Sequence, residues 1–170
     1  RGLRTSLHFT MMDTANRVVV VSGPTQDCGK PLVSTSLASI AAQAGQRVLF
    51  IDADMRKGSV HNVFQLRNHR GLSCVPGGTV EWQEAIQRAE KGGFDVLTCG
   101  PQPSHPVELL RSERFQAVMS QIDKLYDIVI VDTPPVLAVT DALLIARAAA
   151  TTLLVARFGK TSVKEIENCL

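Results

Sequence analysis

Gly23-Pro24-Thr25-Gln26-Asp27-Cys28-Gly29-Lys30 follows the apolar run Val18-Val19-Val20-Val21 and opens a stretch rich in Ala, Leu and Ser that extends to Ala44. The valine run shows no alternation, the pattern of a strand buried on both faces. Pro31 to Ala44 reads as a helix, and Gly45 is placed to close it. Strand, glycine-bracketed loop and helix in that order, with G-x-x-x-x-G-K spacing, make the arrangement of a phosphate-binding loop. The two glycines allow a backbone wrap whose N–H groups turn inward, and the helix N-terminus adds its dipole. Lys30 adds a point charge for β- and γ-phosphates. Taken alone, the same residues also describe a glycine-rich turn with an exposed lysine.

Outward from this loop, short apolar runs alternate with helical patterns. Strands are expected at Val48–Ile51, Phe94–Thr98, Asp127–Val131 and Thr152–Ala156. Helices are expected over Arg1–Met12, Val80 to about Ala89, Ser112–Lys124, Asp141–Ala149 and from Ser162 onward. The pattern predicts one α/β domain over residues 1–170: a mostly parallel, doubly wound sheet with helices on both faces, like that of P-loop NTPases. Ligands of such sheets sit beyond the carboxyl ends of the strands.

Composition narrows the field without choosing a function. With 45% hydrophobic and 20% charged residues the chain is ordinary for a globular domain. A net charge of +2 argues neither for a nucleic-acid partner nor for a strongly basic membrane-binding face, and no nucleic-acid partner is expected. No apolar run is long enough to span a bilayer. The chain opens on Arg1 and stops inside a helical pattern at Leu170, so it reads as a piece of something longer. Cys28, Cys74, Cys99 and Cys169 have no metal-ligand spacing and read as isolated thiols. Cys28 is the exception, because a thiolate near a helix start can be stabilised.

Two further segments sit at predicted strand ends. Asp52-Ala53-Asp54-Met55-Arg56-Lys57-Gly58 follows Val48–Ile51, and its paired carboxylates can both face a cleft where the strand loosens. One of them can hold a metal through water while the other accepts a proton from an incoming hydroxyl. Asp132-Thr133-Pro134-Pro135 follows Ile128–Val131, and a single aspartate there is the usual second metal anchor of a phosphate-loop site. The bland alternatives are a capping or solvated loop cluster for the first and a plain strand-end turn for the second.

In combination, Gly23–Lys30, the run Val-Leu-Phe-Ile-Asp-Ala-Asp-Met-Arg-Lys-Gly at 48–58 and the run Tyr-Asp-Ile-Val-Ile-Val-Asp-Thr-Pro-Pro-Val-Leu-Ala-Val-Thr-Asp-Ala at 126–142 resemble the three Walker-type motifs of the bacterial tyrosine kinases of capsule and exopolysaccharide machinery. Arg1–Leu7 is similar to the end of that family's oligomerisation motif, and Pro106–Leu110 to its N-P-x-E-L segment. The resemblance implies an ATP-dependent kinase with ATP or ADP and Mg²⁺ as cofactors. By it Lys30, Asp52 and Asp54 are catalytic. Gly23, Thr25, Gln26, Asp27, Cys28, Gly29, Lys30 and Pro31 hold the nucleotide, and Asp54 and Asp132 hold the metal. Arg1 and Arg4 face a neighbouring subunit of a ring. It further implies trans-phosphorylation of a tyrosine-rich tail absent here, attachment to a membrane-embedded part at the cytoplasmic face of the inner membrane, and dealings with export machinery and a tyrosine phosphatase.

The chain departs from this pattern at four places. Pro31 stands where the family has Ser or Thr, removing a hydroxyl that ligates Mg²⁺ and a backbone N–H that holds phosphate. It also biases Lys30 away from helical angles, although proline is tolerated in a first helical turn. His105 replaces the Asn before Pro106, and Ser59 stands where many relatives place a regulatory tyrosine. The lone tyrosine, Tyr126, reads as a packing residue. Two other readings follow: a non-enzymatic assembly module with a decayed phosphate loop, and a partitioning-type ATPase. Pro24 stands in place of the earlier lysine that the second would need.

Overall fold

The computed structural model of the chain describes residues 2–11 and 14–170, the side chains at positions 3, 4 and 8–10 excepted. Helix α1 spans Gly2–Met11 and leads into strand β1, Val18–Ser22. Then come α2 (Lys30–Gln43), β2 (Val48–Asp52), α3 (Val60–Val63), α4 (Trp82–Ala85), β3 (Ile86–Ala89) and β4 (Phe94–Leu97). The second half holds α5 (Pro106–Arg111), α6 (Glu113–Leu125), β5 (Ile128–Asp132), α7 (Asp141–Ala146), β6 (Thr151–Leu154) and α8 (Val163–Glu167). The strands form one six-stranded sheet in the order β3-β4-β2-β5-β1-β6, parallel throughout except for the β3–β4 pair.

The three central strands are buried at every position, as their unbroken apolar runs require. Alternation sorts their side chains onto two faces. Val18, Val20, Leu49, Ile51, Val129 and Val131 pack with Phe115, Val118 and Ile122 of α6. Val19, Val21, Val48, Phe50, Ile128 and Ile130 pack with Leu37, Ala38 and Ala41 of α2 and with Leu7 of α1. At ~25 cal/mol per Å² of apolar area these two layers dominate the stabilisation. Ser112 caps α6 by accepting from the Phe115 amide at 3.1 Å, and Gly45 leaves α2 with φ +83°, a conformation open to glycine.

The expected helix from Val80 to Ala89 is a single turn, α4, followed by the extended strand β3. Ile86 turns extended, at φ −69° and ψ 134°, and Gln87 and Ala89 pair with Val96 and Phe94 of β4. Gly92 and Gly93 close the hairpin by donating to the Ala89 carbonyl, and Arg88 pairs with Asp95 at 2.9 Å. Ladder partners and a glycine turn override the helical composition of the segment. The last helices and strand are shorter than their sequence patterns, ending at Ala146, Leu154 and Glu167. No described helix is long and apolar enough to cross a membrane.

Candidate active site

In the order β2-β5-β1, three carboxyl ends lie side by side. Asp52 ends β2, Asp132 ends β5 as its direct cross-strand partner, and Val21 pairs with Asp132 from the other side. From β1 the chain enters the phosphate loop. A Cβ on Gly23 would stand 2.2 Å from Cys28 Sγ and 2.7 Å from the Val155 carbonyl oxygen, so only glycine fits. A turn of 3-10 helix at Gln26–Cys28 leads to Gly29, whose φ of +93° is left-handed and sets the direction of α2. Because Gly29 takes that turn, Lys30 is the first helical residue in spite of Pro31.

The loop and strand ends enclose a cavity of 220 Å³ lined by Gln26, Lys30, Pro31, Asp52, Asp54 and Asp132, with Lys57, Gly58 and Ser59 at its rim. Lys30 is 4%, Asp52 1% and Asp132 4% exposed, which excludes the exposed-lysine reading of the loop. Asp52 accepts from the Asp54 and Val60 amides, both at 3.2 Å. Burial, with the charge of Asp54 adding, pushes its carboxyl up to about 7. Asp132 is also pushed up to about 7, by burial and then by Asp52, against the pull of Lys30 and Ser34. Its Oδ1 is buried without a hydrogen-bond partner.

Asp54 Oδ1 accepts from the Arg56 amide at 3.2 Å and the Lys57 amide at 2.9 Å, folding the 53–59 loop over the cavity. Two contacts anchor that loop: Lys57 Nζ donates to Gln26 Oε1 at 3.2 Å, and Arg56 Nε to Asp141 Oδ2 at 3.2 Å. Sequence reasoning gave no role to Arg56, Lys57 or Asp141, although all three lie inside the quoted motif runs. Pro31 presents neither hydroxyl nor N–H. The next hydroxyls donate to backbone, Ser34 to the Lys30 carbonyl at 3.0 Å and Thr35 to that of Pro31 at 2.6 Å.

Of the expected nucleotide residues, Gln26, Lys30 and Pro31 line the cavity, while Gly23, Thr25, Asp27, Cys28 and Gly29 form the loop's frame. Cys28 is a packing thiol, buried and donating to the Thr25 carbonyl at 3.1 Å. Cys99 is not isolated as expected; it lies beside Asp52 and His61. Tyr126 donates to Asp95 Oδ2 at 3.0 Å, and burial pushes its phenol up to about 12, consistent with packing. Arg1 lies outside the described residues, and so does the side chain of Arg4. A larger groove of 630 Å³, lined by Val18, Phe115 and Arg147 among others, holds none of the expected nucleotide or metal residues.

A buried lysine at a glycine-framed helix start, facing strand-end carboxylates, defines a P-loop nucleotide-binding domain. Comparison with known proteins places it further. A family model described as an AAA domain matches residues 16–167. The chain is 50% identical over 166 residues to the tyrosine-protein kinase etk of Escherichia coli K12, covering 98% of this chain and 23% of that protein. The solved kinase domain of the Escherichia coli tyrosine kinase ETK superposes with a TM-score of 0.97 at 49% identity, covering 99% of this chain and 66% of that one. The BceF tyrosine kinase domain gives 0.88 at 41% identity, covering 98% and 67%. The chain therefore belongs to the AAA domain family, among the bacterial tyrosine kinases. It spans about a quarter of the length of the curated relatives it matches. Neither the assembly-module nor the partitioning reading finds support in these relatives.

Proposed function

We propose that this chain is the ATP-dependent catalytic domain of a protein tyrosine kinase that controls polysaccharide export. The carrying observation is the convergence of Lys30, Asp52, Asp54 and Asp132 on one cavity at the strand ends. Inward amides of the 23–30 loop and the Lys30 ammonium bind the β- and γ-phosphates. The orphaned Asp132 Oδ1 and the half-buried Asp54 carboxyl, both lining the cavity, fit a magnesium ion, which keeps several waters and needs few protein ligands. Magnesium bound there supplies charge neutralisation on the phosphates. Asp52, with its carboxyl near the operating pH, orients the tyrosine hydroxyl and takes its proton. The 53–59 loop keeps water from the transferring group.

Ring assembly through the Arg1–Arg4 segment, a tyrosine-rich acceptor tail, a membrane-embedded partner at the inner face of the inner membrane, and reversal by a phosphatase belong to the same proposal. The test is transfer of ³²P from γ-labelled Mg-ATP to a tyrosine-rich peptide by this chain and by Lys30→Ala. Transfer that depends on Lys30 supports the reading. Transfer unaffected by Lys30→Ala, or no transfer together with no Mg-ADP binding, overturns it.

A further inference from the structure

Strand β4 is the sheet neighbour of β2, so Cys99, two residues beyond the end of β4, comes to lie beside Asp52. The short helix α3 brings His61 to the same place. One ligand atom from each of Asp52, His61 and Cys99 lies within 4.8 Å of the other two. Carboxylate, imidazole and thiol are the donors that hold zinc. Two independent observations point to a ligand there. His61 Nδ1 is buried and has no hydrogen-bond partner. Gly58 leaves the space between the other two donors open: a Cβ there would stand 2.5 Å from Cys99 Sγ and 2.7 Å from Asp52 Oδ2. Around them, Asn68 meets Cys99 Sγ with both amide atoms at 3.6 Å, Nδ2 donating to the sulfur and Oδ1 accepting from the thiol, while Oδ1 also accepts from the Gly100 amide at 2.9 Å; loss of the thiol proton to a metal leaves the Nδ2 contact in place. An amide donor turned toward sulfur is the outer support a metal thiolate takes.

We propose that Asp52, His61 and Cys99 form a site for a borderline-soft divalent cation, zinc foremost, and that its occupation withdraws Asp52 from the nucleotide cavity. Zinc ligand distances of about 2.0–2.3 Å set tetrahedral donors roughly 3.3–3.8 Å apart, so donors already within 4.8 Å need at most a small closure on binding. The Cys99 thiol gives its proton to solvent as the sulfur–zinc bond forms, and water takes the fourth position. Magnesium does not compete, because it demands oxygen donors in octahedral array.

The withdrawal of Asp52 rests on the nucleotide reading above; the metal site does not. Cobalt(II) tests the site directly, since a thiolate ligand gives a sulfur-to-cobalt charge-transfer band in the near ultraviolet. The expected result is a one-equivalent band that zinc displaces. Cys99→Ser should abolish it, His61→Gln should weaken cobalt affinity at least tenfold, and Cys28→Ser/Cys74→Ser/Cys169→Ser should retain it. No band in the unaltered chain, or a band that survives Cys99→Ser, overturns the site; should Cys99→Ser fail to fold, an undiminished affinity in His61→Gln does so. Phosphoryl transfer from Mg-ATP then reads the coupling. One equivalent of zinc should lower transfer to a tyrosine peptide at least tenfold while Mg-ADP affinity holds, and Cys99→Ser should remove zinc's effect. Unchanged transfer in a chain with the cobalt band overturns the coupling. A chain that transfers nothing with or without zinc sinks the reading above alone, and the cobalt spectrum still decides the site.

Discussion

Asp52 and Asp132 stand directly opposite each other across the β2–β5 ladder, each the last residue of its strand and each almost sealed from solvent. Burial is the chief reason that both hold their protons to about pH 7 rather than 3.8, with the charge of Asp54 adding at Asp52 and that of Asp52 adding at Asp132.

A pH dependence follows. Between 3.8 and about 7 the folded chain binds protons at these two sites that the unfolded chain has released. Metal-free stability at these sites thus falls as pH rises through that window and levels off above it. Urea midpoints in EDTA should decline more steeply from about pH 4 to pH 7 in the unaltered chain than in Asp52→Asn. Equal slopes would refute the assignment. Asp127, held down to about 2 by the Arg47 guanidinium and amide, acts oppositely and weakens the fold only as pH falls below the ordinary carboxylate range.

Pro31→Thr restores both a hydroxyl and a backbone N–H at the phosphate site. A hydrogen bond to a charged group contributes about 1.5–3 kcal/mol, so Mg-ADP should bind about ten- to hundredfold more tightly. Titration calorimetry of both chains measures this. Equal affinities would mean that water fills the hydroxyl's place without loss.

Gly23→Ala should collapse the loop rather than trim its affinity. Its Cβ would meet both the Cys28 sulfur and the Val155 backbone, and overpacking of that kind costs about 1–3 kcal/mol. Cys28→Ala relieves only one of the two clashes, so the double variant should recover part of the stability and little nucleotide binding. Full recovery in denaturant melts would show that the Val155 contact yields freely.

Arg56 reaches from the 53–59 loop to Asp141, which is fully buried. Arg56→Met leaves that carboxylate alone and should destabilise by about 3 kcal/mol, the low end for such pairs because Arg56 is partly exposed. Adding Asp141→Leu should return most of the loss. A double-mutant cycle with no coupling would dismiss the pair as a structural tie.

The sheet and the three motif sites were legible because each is local. Val18–Val21, Val48–Ile51 and Ile128–Val131 are buried on both faces, so their apolar runs announce them without help from tertiary context. Edge strand β3 was not legible: Ile86–Ala89 is four residues long, with a mixed burial pattern that a helix shares, and only β4 gives it partners. Helix α5 is six residues opening on Pro106, too short for a period to show. Within the site, Lys30, Asp52 and Asp132 could be read from their places at strand ends. The ties Arg56–Asp141 and Lys57–Gln26 could not, since nothing in the spacing of those residues says that they meet. Asp52, His61 and Cys99 likewise share no motif; sheet order and the short helix α3 join them.

That sheet order also bears on how the chain is made. The strand between β1 and β2 is β5, the fifth of the six described strands to leave the ribosome. Until residues 128–132 emerge, β1, which leads to Lys30, and β2, which ends on Asp52, have no ladder between them, and their apolar faces wait uncovered. A nascent chain stalled before that segment lacks the Asp132 wall of the cavity and is open to aggregation. Arrival of β5 joins the two halves of the sheet and closes that cavity in a single event.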